Sequence, residues 1–251
     1  GALDFVEAQI EGTGGISGLD GVSSLALVPD SDGGGPLGAY LAGASVLDDS
    51  LVLFERDEVD GRLTQVAHVA HGSTLNGQTV AGLSGARAVA ASTDGKFLYV
   101  VARTSDALSV FKLDAAAGTV PLALVQTVTG TLGLDQAVHV LVVGNHVYVA
   151  GANDDAIAVY VRDPLTGLVS HVESEQNGIN DALDAGGVVA GLDGVEFLVA
   201  SPDGAHLYAL SGAGGSIAAF DRNSTSGGLS WRGVQDGISL GAPMAGATSA
   251  A

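Results

Sequence analysis

Apolar positions along this chain fall into short runs, each broken after a few residues by glycine, proline, aspartate or asparagine. The last repeat shows the pattern most clearly. Gly191-Leu192-Asp193-Gly194 leads into the nearly continuous apolar run Val195–Ala200, and Ser201-Pro202-Asp203-Gly204 follows as a turn. His206–Leu210 reads as a second strand and Ile217–Arg222 as a third. Leu229–Gln235, alternating and more polar, reads as a fourth. Each unit therefore predicts four short strands, the first most apolar and the last most polar.

An aromatic pair marks the repeat four times, as Tyr40/Phe54, Tyr99/Phe111, Tyr148/Tyr160 and Tyr208/Phe220. Upstream of each stands a Gly-Leu step: Gly18-Leu19, Gly82-Leu83, Gly133-Leu134 and Gly191-Leu192. Units of this length whose faces are covered only by their neighbours predict a stacked or radial array. The gradient from an apolar first strand to a polar fourth predicts an all-β propeller, with blades over about 18–72, 82–130, 133–178 and 191–237. Residues 1–12 read as an additional outer strand and 238–251 as a tail. The last unit already has its own fourth strand, which leaves three readings of the extra one. The chain is a segment of a longer array, or a compact four-bladed ring with a spare strand, or half of a ring that two copies close together.

Charge narrows the partners. Twenty-eight acidic residues against nine basic ones give a net charge of −19, which repels phosphate backbones and argues against nucleic acid. No apolar run approaches the roughly 18 residues of a membrane span. The acidic surface fits solvation in a marine or halophilic source, and also attracts divalent cations. The absence of cysteine removes disulfides, thiolate catalysis and zinc–thiolate sites.

The pattern Gly-Leu-Asp-Gly, Ser-Pro-Asp-Gly-x-x-Leu-Tyr, Ile-Ala-x-Phe-Asp-Arg, Gly-Gly-Leu, carried best by residues 191–231, resembles the lactonase-like β-propeller repeat related to 6-phosphogluconolactonase and the YVTN propellers. The resemblance implies a propeller. It also implies a seven-bladed ring with a Pro-His-x-His stretch on an inner strand. Here four units are visible, and the nearest stretch, Gln136-Ala137-Val138-His139, lacks the proline and the first histidine. The family's catalytic assignment is therefore not carried to His139.

On the residues alone, His139 and Glu196 are the candidates for an acid–base pair, both on inner strands. Arg87 and Arg103 are the arginines that could join them. Asp20, Asp135 and Asp193 stand beside the starts of inner strands, where a ring would gather them as an axial cation site. Asp48, Asp49, Asp154 and Asp155 occupy the turn before the third strand and are the alternative calcium ligands. Turn-forming roles compete with both cation readings. His146 and His206 read as exposed turn-edge residues.

The expectation drawn from these features is a non-enzymatic binding or structural module, secreted, periplasmic or on the cell surface, with a protein or glycan partner. Calcium is the one cofactor candidate, and a homodimer is a route to ring closure. The alternative is a lactonase-like hydrolase acting on a small sugar lactone or cyclic ester at the channel mouth.

Overall fold

The structure, a computed structural model, describes residues 4–29, 40–57, 59–113, 121–180 and 187–236. The lengthened loop at Pro29–Pro36 lies almost wholly outside these residues, as does the 238–251 tail. The described residues hold eighteen strands, sixteen of them in four four-stranded antiparallel sheets. The first sheet holds β1 (Val22–Val28), β2 (Tyr40–Ser45), β3 (Ser50–Arg56) and β4 (Leu63–Ala70). A two-stranded hairpin, β5 (Thr74–Leu75) with β6 (Gln78–Thr79), leads to the second sheet. That sheet contains β7 (Ala86–Ala91), β8 (Phe97–Ala102), β9 (Ala107–Leu113) and β10 (Leu122–Thr129). The third has β11 (Ala137–Val143), β12 (His146–Gly151), β13 (Ala156–Arg162) and β14 (Val169–Gln176). The fourth has β15 (Val195–Ala200), β16 (His206–Ser211), β17 (Ser216–Arg222) and β18 (Leu229–Asp236).

Every sheet is a meander in sequence order, as short turns between antiparallel neighbours require. The sheets are the propeller blades that the repeat predicted. No helix among the described residues is long and apolar enough to cross a membrane.

Three hydrophobic clusters lie between successive blades, and they explain why the middle strands are apolar on both faces. Ala42, Leu51 and Leu53 of blade 1 meet Val89, Leu98 and Phe111 of blade 2. Tyr99, Val101 and Val110 of blade 2 meet Val140, Val149 and Tyr160 of blade 3. Tyr148, Ile157 and Val159 of blade 3 meet Leu198, Leu207 and Phe220 of blade 4. Phe111 and Phe220 are each fully buried, worth about 1.5–3 kcal/mol apiece by area. In blades 2 and 3 the aromatic columns are thus inter-blade packing, with Tyr99 and Tyr148 fully buried and their hydroxyls donating to Gly167 O and Gly227 O of the next blade, whereas Tyr208 of blade 4 is 37% exposed.

Residues 4–10 correct one expectation: they form no strand ladder. They run beside β4 and are tied to it through side chains. Glu7 Oε1 accepts the Leu63 N–H, and Gln9 Nε2 donates to Leu63 O.

Candidate active site

Each inner strand pairs with its neighbour through a register shift at one residue. The shifts fall at Ser23, Arg87, Val138 and Glu196, between Val22/Ser24, Ala86/Ala88, Ala137/His139 and Val195/Phe197. A bulge of this kind inserts one unpaired residue and re-aims its side chain. All four bulged residues line one open cavity of about 730 Å³, to which all four blades contribute residues. Ser24, Arg103, His139 and Phe197 line it too. The two predicted site residues, His139 and Glu196, and the two arginines therefore share one chamber.

His139 is half-buried, and its ring lies 4.1 Å from the Phe197 ring, centroid to centroid. Its Nδ1 accepts the Leu198 N–H of the next inner strand at 3.3 Å. Ser24, one column equivalent in blade 1, accepts the Val89 N–H in the same way, so this bond is part of the scaffold. What distinguishes the histidine is its second nitrogen. With Nδ1 accepting, the neutral ring carries its proton on Nε2. Burial lowers the His139 pKa to about 4, and the Arg87 charge acts in the same direction. The imidazole is therefore neutral at physiological pH and offers a donor, not a base.

Arg87 is half-buried and Arg103 exposed, and among the described residues neither guanidinium forms an ion pair with a carboxylate. The mouth thus carries two unneutralised cations and one carboxylate on a chain whose net charge is −19. Glu196 is half-buried, close enough to Gly212 that a β-carbon there would meet its carboxylate at 2.8 Å.

The turn aspartates have other work. Asp48 accepts the Asp20 N–H, and Asp154 accepts those of Gly133 and Asp135, each within its own blade. Asp49, Asp106 and Asp155 reach across to the next blade and accept from Gly85, Gln136 and Gly194 N–H. Asp135 itself accepts from Asn153, while Asp20 and Asp193 are exposed. Among the described residues no three His, Asp or Glu side chains gather as a metal would need.

His146 also departs from expectation. It is 4% exposed, with Nδ1 2.7 Å from the Arg222 guanidinium of blade 4. The shortened Gly144-Asn145 turn leaves no side chain to hold it out in solvent. His206 is partly exposed and lies 2.9 Å from Asp221. The sequence could not show which inner-strand positions bulge. The one available signal was a polar residue in the second place after the Gly-x-x-Gly step in three of the four units, Ser23, Arg87 and Glu196, and it fails at Val138.

Comparison with known proteins adds the family. No curated protein sequence matches the chain. Among solved structures it is similar to the periplasmic gluconolactonase of Pseudomonas aeruginosa, at 20% identity and TM-score 0.64, over 87% of this chain and 58% of that one. A Lactobacillus plantarum protein aligns at 17% identity and TM-score 0.62, over 86% of this chain and 55% of that one. Sqt1 of Saccharomyces cerevisiae aligns at 14% and 0.58, over 88% and 50%. The chain thus spans about half the length of these proteins, 50–58%, and at such identities the likeness concerns the fold. The family described as lactonase, 7-bladed β-propeller matches residues 39–181, more than half of the chain. That match overturns the expectation of a non-enzymatic binding or structural module and favours the hydrolase alternative. Four meander blades around a common chamber and the match across 39–181 lead to one conclusion: the chain belongs to the lactonase family of seven-bladed β-propellers.

Proposed function

We propose that the chamber between the inner strands hydrolyses a small lactone, with an anionic sugar-acid lactone as the substrate class. The observation that carries this reading is the shared cavity of Glu196, His139, Arg87 and Arg103. Two unpaired guanidiniums attract a carboxylate or phosphate and supply bidentate donors to hold it.

Hydrolysis then needs a base and an oxyanion site. Glu196 takes a proton from water as the water oxygen adds to the lactone carbonyl carbon. The oxygen that gains charge is met by His139 Nε2–H, with Arg87 as the nearest cation. The ring C–O bond breaks, the departing alkoxide recovers the proton from Glu196, and the product is the open hydroxy acid. A neutral imidazole suits this role, because with Nδ1 occupied its Nε2–H donates to the oxyanion and keeps its proton.

The test is hydrolysis of sugar-acid lactones followed by proton release. Glu196→Gln is expected to lower kcat by about 100-fold or more, and Arg87→Ala to raise KM more than it lowers kcat. Because the His139 pKa is about 4, activity should not step near pH 6.5 on its account. A wild-type rate no faster than buffer across such lactones, or a Glu196→Gln rate equal to wild type, would remove the proposal.

A further inference from the structure

We propose that Asn223, in the turn between β17 and β18, is the acceptor of an N-linked glycan on the folded protein. The group modified is its Nδ2 amide, and the donor is an oligosaccharide carried on a lipid diphosphate.

The acceptor pattern is an asparagine followed two positions on by serine or threonine, with no proline between. The chain has six asparagines, and only Asn223-Ser224-Thr225 meets it. Gln78, Val147, Asp155, Ile179 and Ala182 stand two places after the other five.

A pattern of three residues is short, and the turn that holds it is what gives it weight. The same turn closes the outer hairpin of blades 1, 3 and 4. Its first residue is Asp57, Asp163 and Asn223 in turn, and its fifth is Gly61, Gly167 and Gly227, at φ of 77°, 77° and 81°. In each, the glycine N–H returns to the carbonyl of the first residue. The first side chain also accepts two N–H groups ahead of it. Asp57 takes those of Val59 and Asp60, Asp163 those of Leu165 and Thr166, and Asn223 Oδ1 those of Thr225 and Ser226 at 2.9 and 3.1 Å. An acceptor oxygen is all that this geometry asks of the side chain, and a carboxylate supplies it in blades 1 and 3. Blade 4 supplies it with an amide. The turn occupies Oδ1, while Nδ2 hydrogen-bonds no described residue.

The second difference lies two places on. Val59 and Leu165 hold that position in blades 1 and 3, so the turn has no use for a hydroxyl there. In blade 4 the residue is Thr225, whose hydroxyl also has no partner among the described residues. Blade 4 thus departs from the other two turns at the two positions the acceptor pattern requires. At both, the departure adds a polar group that the fold leaves unused. Residues 223–226 are all exposed.

The place suits a bulky addition. At the chamber end of blade 4, Val195 pairs with Ser211 and Ser216 with Asp236. The β17–β18 turn lies at the other end, beyond the Arg222–Leu229 pair. A glycan there stands clear of the chamber mouth, so its transfer is read independently of lactone hydrolysis. In the transfer, Nδ2 bonds to C1 of the first sugar and gives up a proton to solvent. The C1–O bond to the lipid diphosphate breaks, and the diphosphate leaves with the electron pair.

The test incubates the folded chain with a purified oligosaccharyltransferase of the kind that acts after folding, and with an oligosaccharide on polyprenyl diphosphate. Intact and peptide masses are then read. The expected result is addition of one glycan, on the peptide that holds Asn223. Thr225→Val, which copies Val59 of blade 1, should slow transfer by about ten-fold or more, while Thr225→Ser keeps it. Asn223→Asp copies the side chain of blades 1 and 3, and should keep the Tm and take no glycan. No addition to the folded wild-type chain overturns the proposal, even where the urea-unfolded chain is modified, because the turn then hides its acceptor. An addition that survives Asn223→Asp lies elsewhere and overturns it as well.

Discussion

Two inter-blade junctions are built on the same arginine and neutralise it differently. At the blade 2–blade 3 junction, Arg162 closes β13 with its side chain 2% exposed and binds Asp94 in the turn before β8, Nη2 to Oδ2 at 2.5 Å. Its guanidinium lies 5.8 Å from the Phe97 ring centre. At the blade 3–blade 4 junction, Arg222 closes β17 in the equivalent place. There the turn has contracted to Gly144-Asn145, which offers no carboxylate. Arg222 donates to Tyr148 Oη, Gly204 O and Val143 O, and its Nη2 lies against His146 Nδ1. One junction is an ion pair and the other a cation held by neutral acceptors. The shortening of one turn decides which, and with it how each junction responds to mutation and to acid.

The largest effect should come from removing the carboxylate. Asp94→Ala leaves Arg162 buried without its counter-charge, at a cost of about 3 kcal/mol. Urea unfolding midpoints would measure it, and Asp94→Ala combined with Arg162→Met should recover much of the loss, because no charge is then stranded. Arg222→Ala breaks the other junction at about 2 kcal/mol, since it removes hydrogen bonds to neutral groups and strands no ion. If the two single variants cost the same, the distinction between the junctions is lost.

Acid separates them further. Burial, and then the Arg222 charge, hold the His146 pKa below its ordinary 6.5. The unfolded chain takes up a proton near 6.5 that the folded chain refuses, so this stability is present at neutral pH and is lost as pH falls below about 6.5. For Asp94, burial works to raise the pKa, and the Arg162, Ser92 and Lys96 hydrogen bonds outweigh it, leaving the carboxyl below 3.8. Its contribution holds above that value and fades only as pH falls beneath it. Between pH 7 and 5 the blade 3–blade 4 junction should therefore loosen while its neighbour does not. Hydrogen exchange at Val147–Val149 against Leu98–Val100 would show the difference, and His146→Gln should flatten the pH dependence of the former.

The repeat made the blades legible, because the aromatic columns, the Gly-Leu steps and the apolar inner runs all follow from stacking one sheet on the next. The chamber was only half legible. His139 and Glu196 could be named as inner-strand polar residues. Their convergence, however, depends on a bulge that breaks the two-residue period, which puts Glu196 in the column of Arg87 and His139 in the column of Phe197. The Arg162–Asp94 contact spans 68 positions and left no local trace. His146 looked like a turn residue because the groups that close over its ring, Arg222 and Gly227, come from the next blade.

The smallest effect concerns the second turn, and it sharpens the comparison because both junctions share it. Asp106 and Asp155 have positive φ, 46° and 50°, and each carboxylate accepts one N–H of the next blade. Asp155→Gly removes that bond while easing the left-handed backbone, so a loss of about 1 kcal/mol is partly offset by a gain of similar kind. Asp155→Asn keeps an acceptor and tolerates the same φ, and should cost less than Asp155→Ala, which loses the bond and keeps the strain. Gly215→Asp in blade 4 places the same carboxylate where no described residue receives it, and should give no gain. The ordering Ala, then Gly, then Asn at position 155, read from unfolding midpoints, would show that the clip and the backbone contribute separately. A Gly variant as unstable as Ala would mean that the hydrogen bond alone matters.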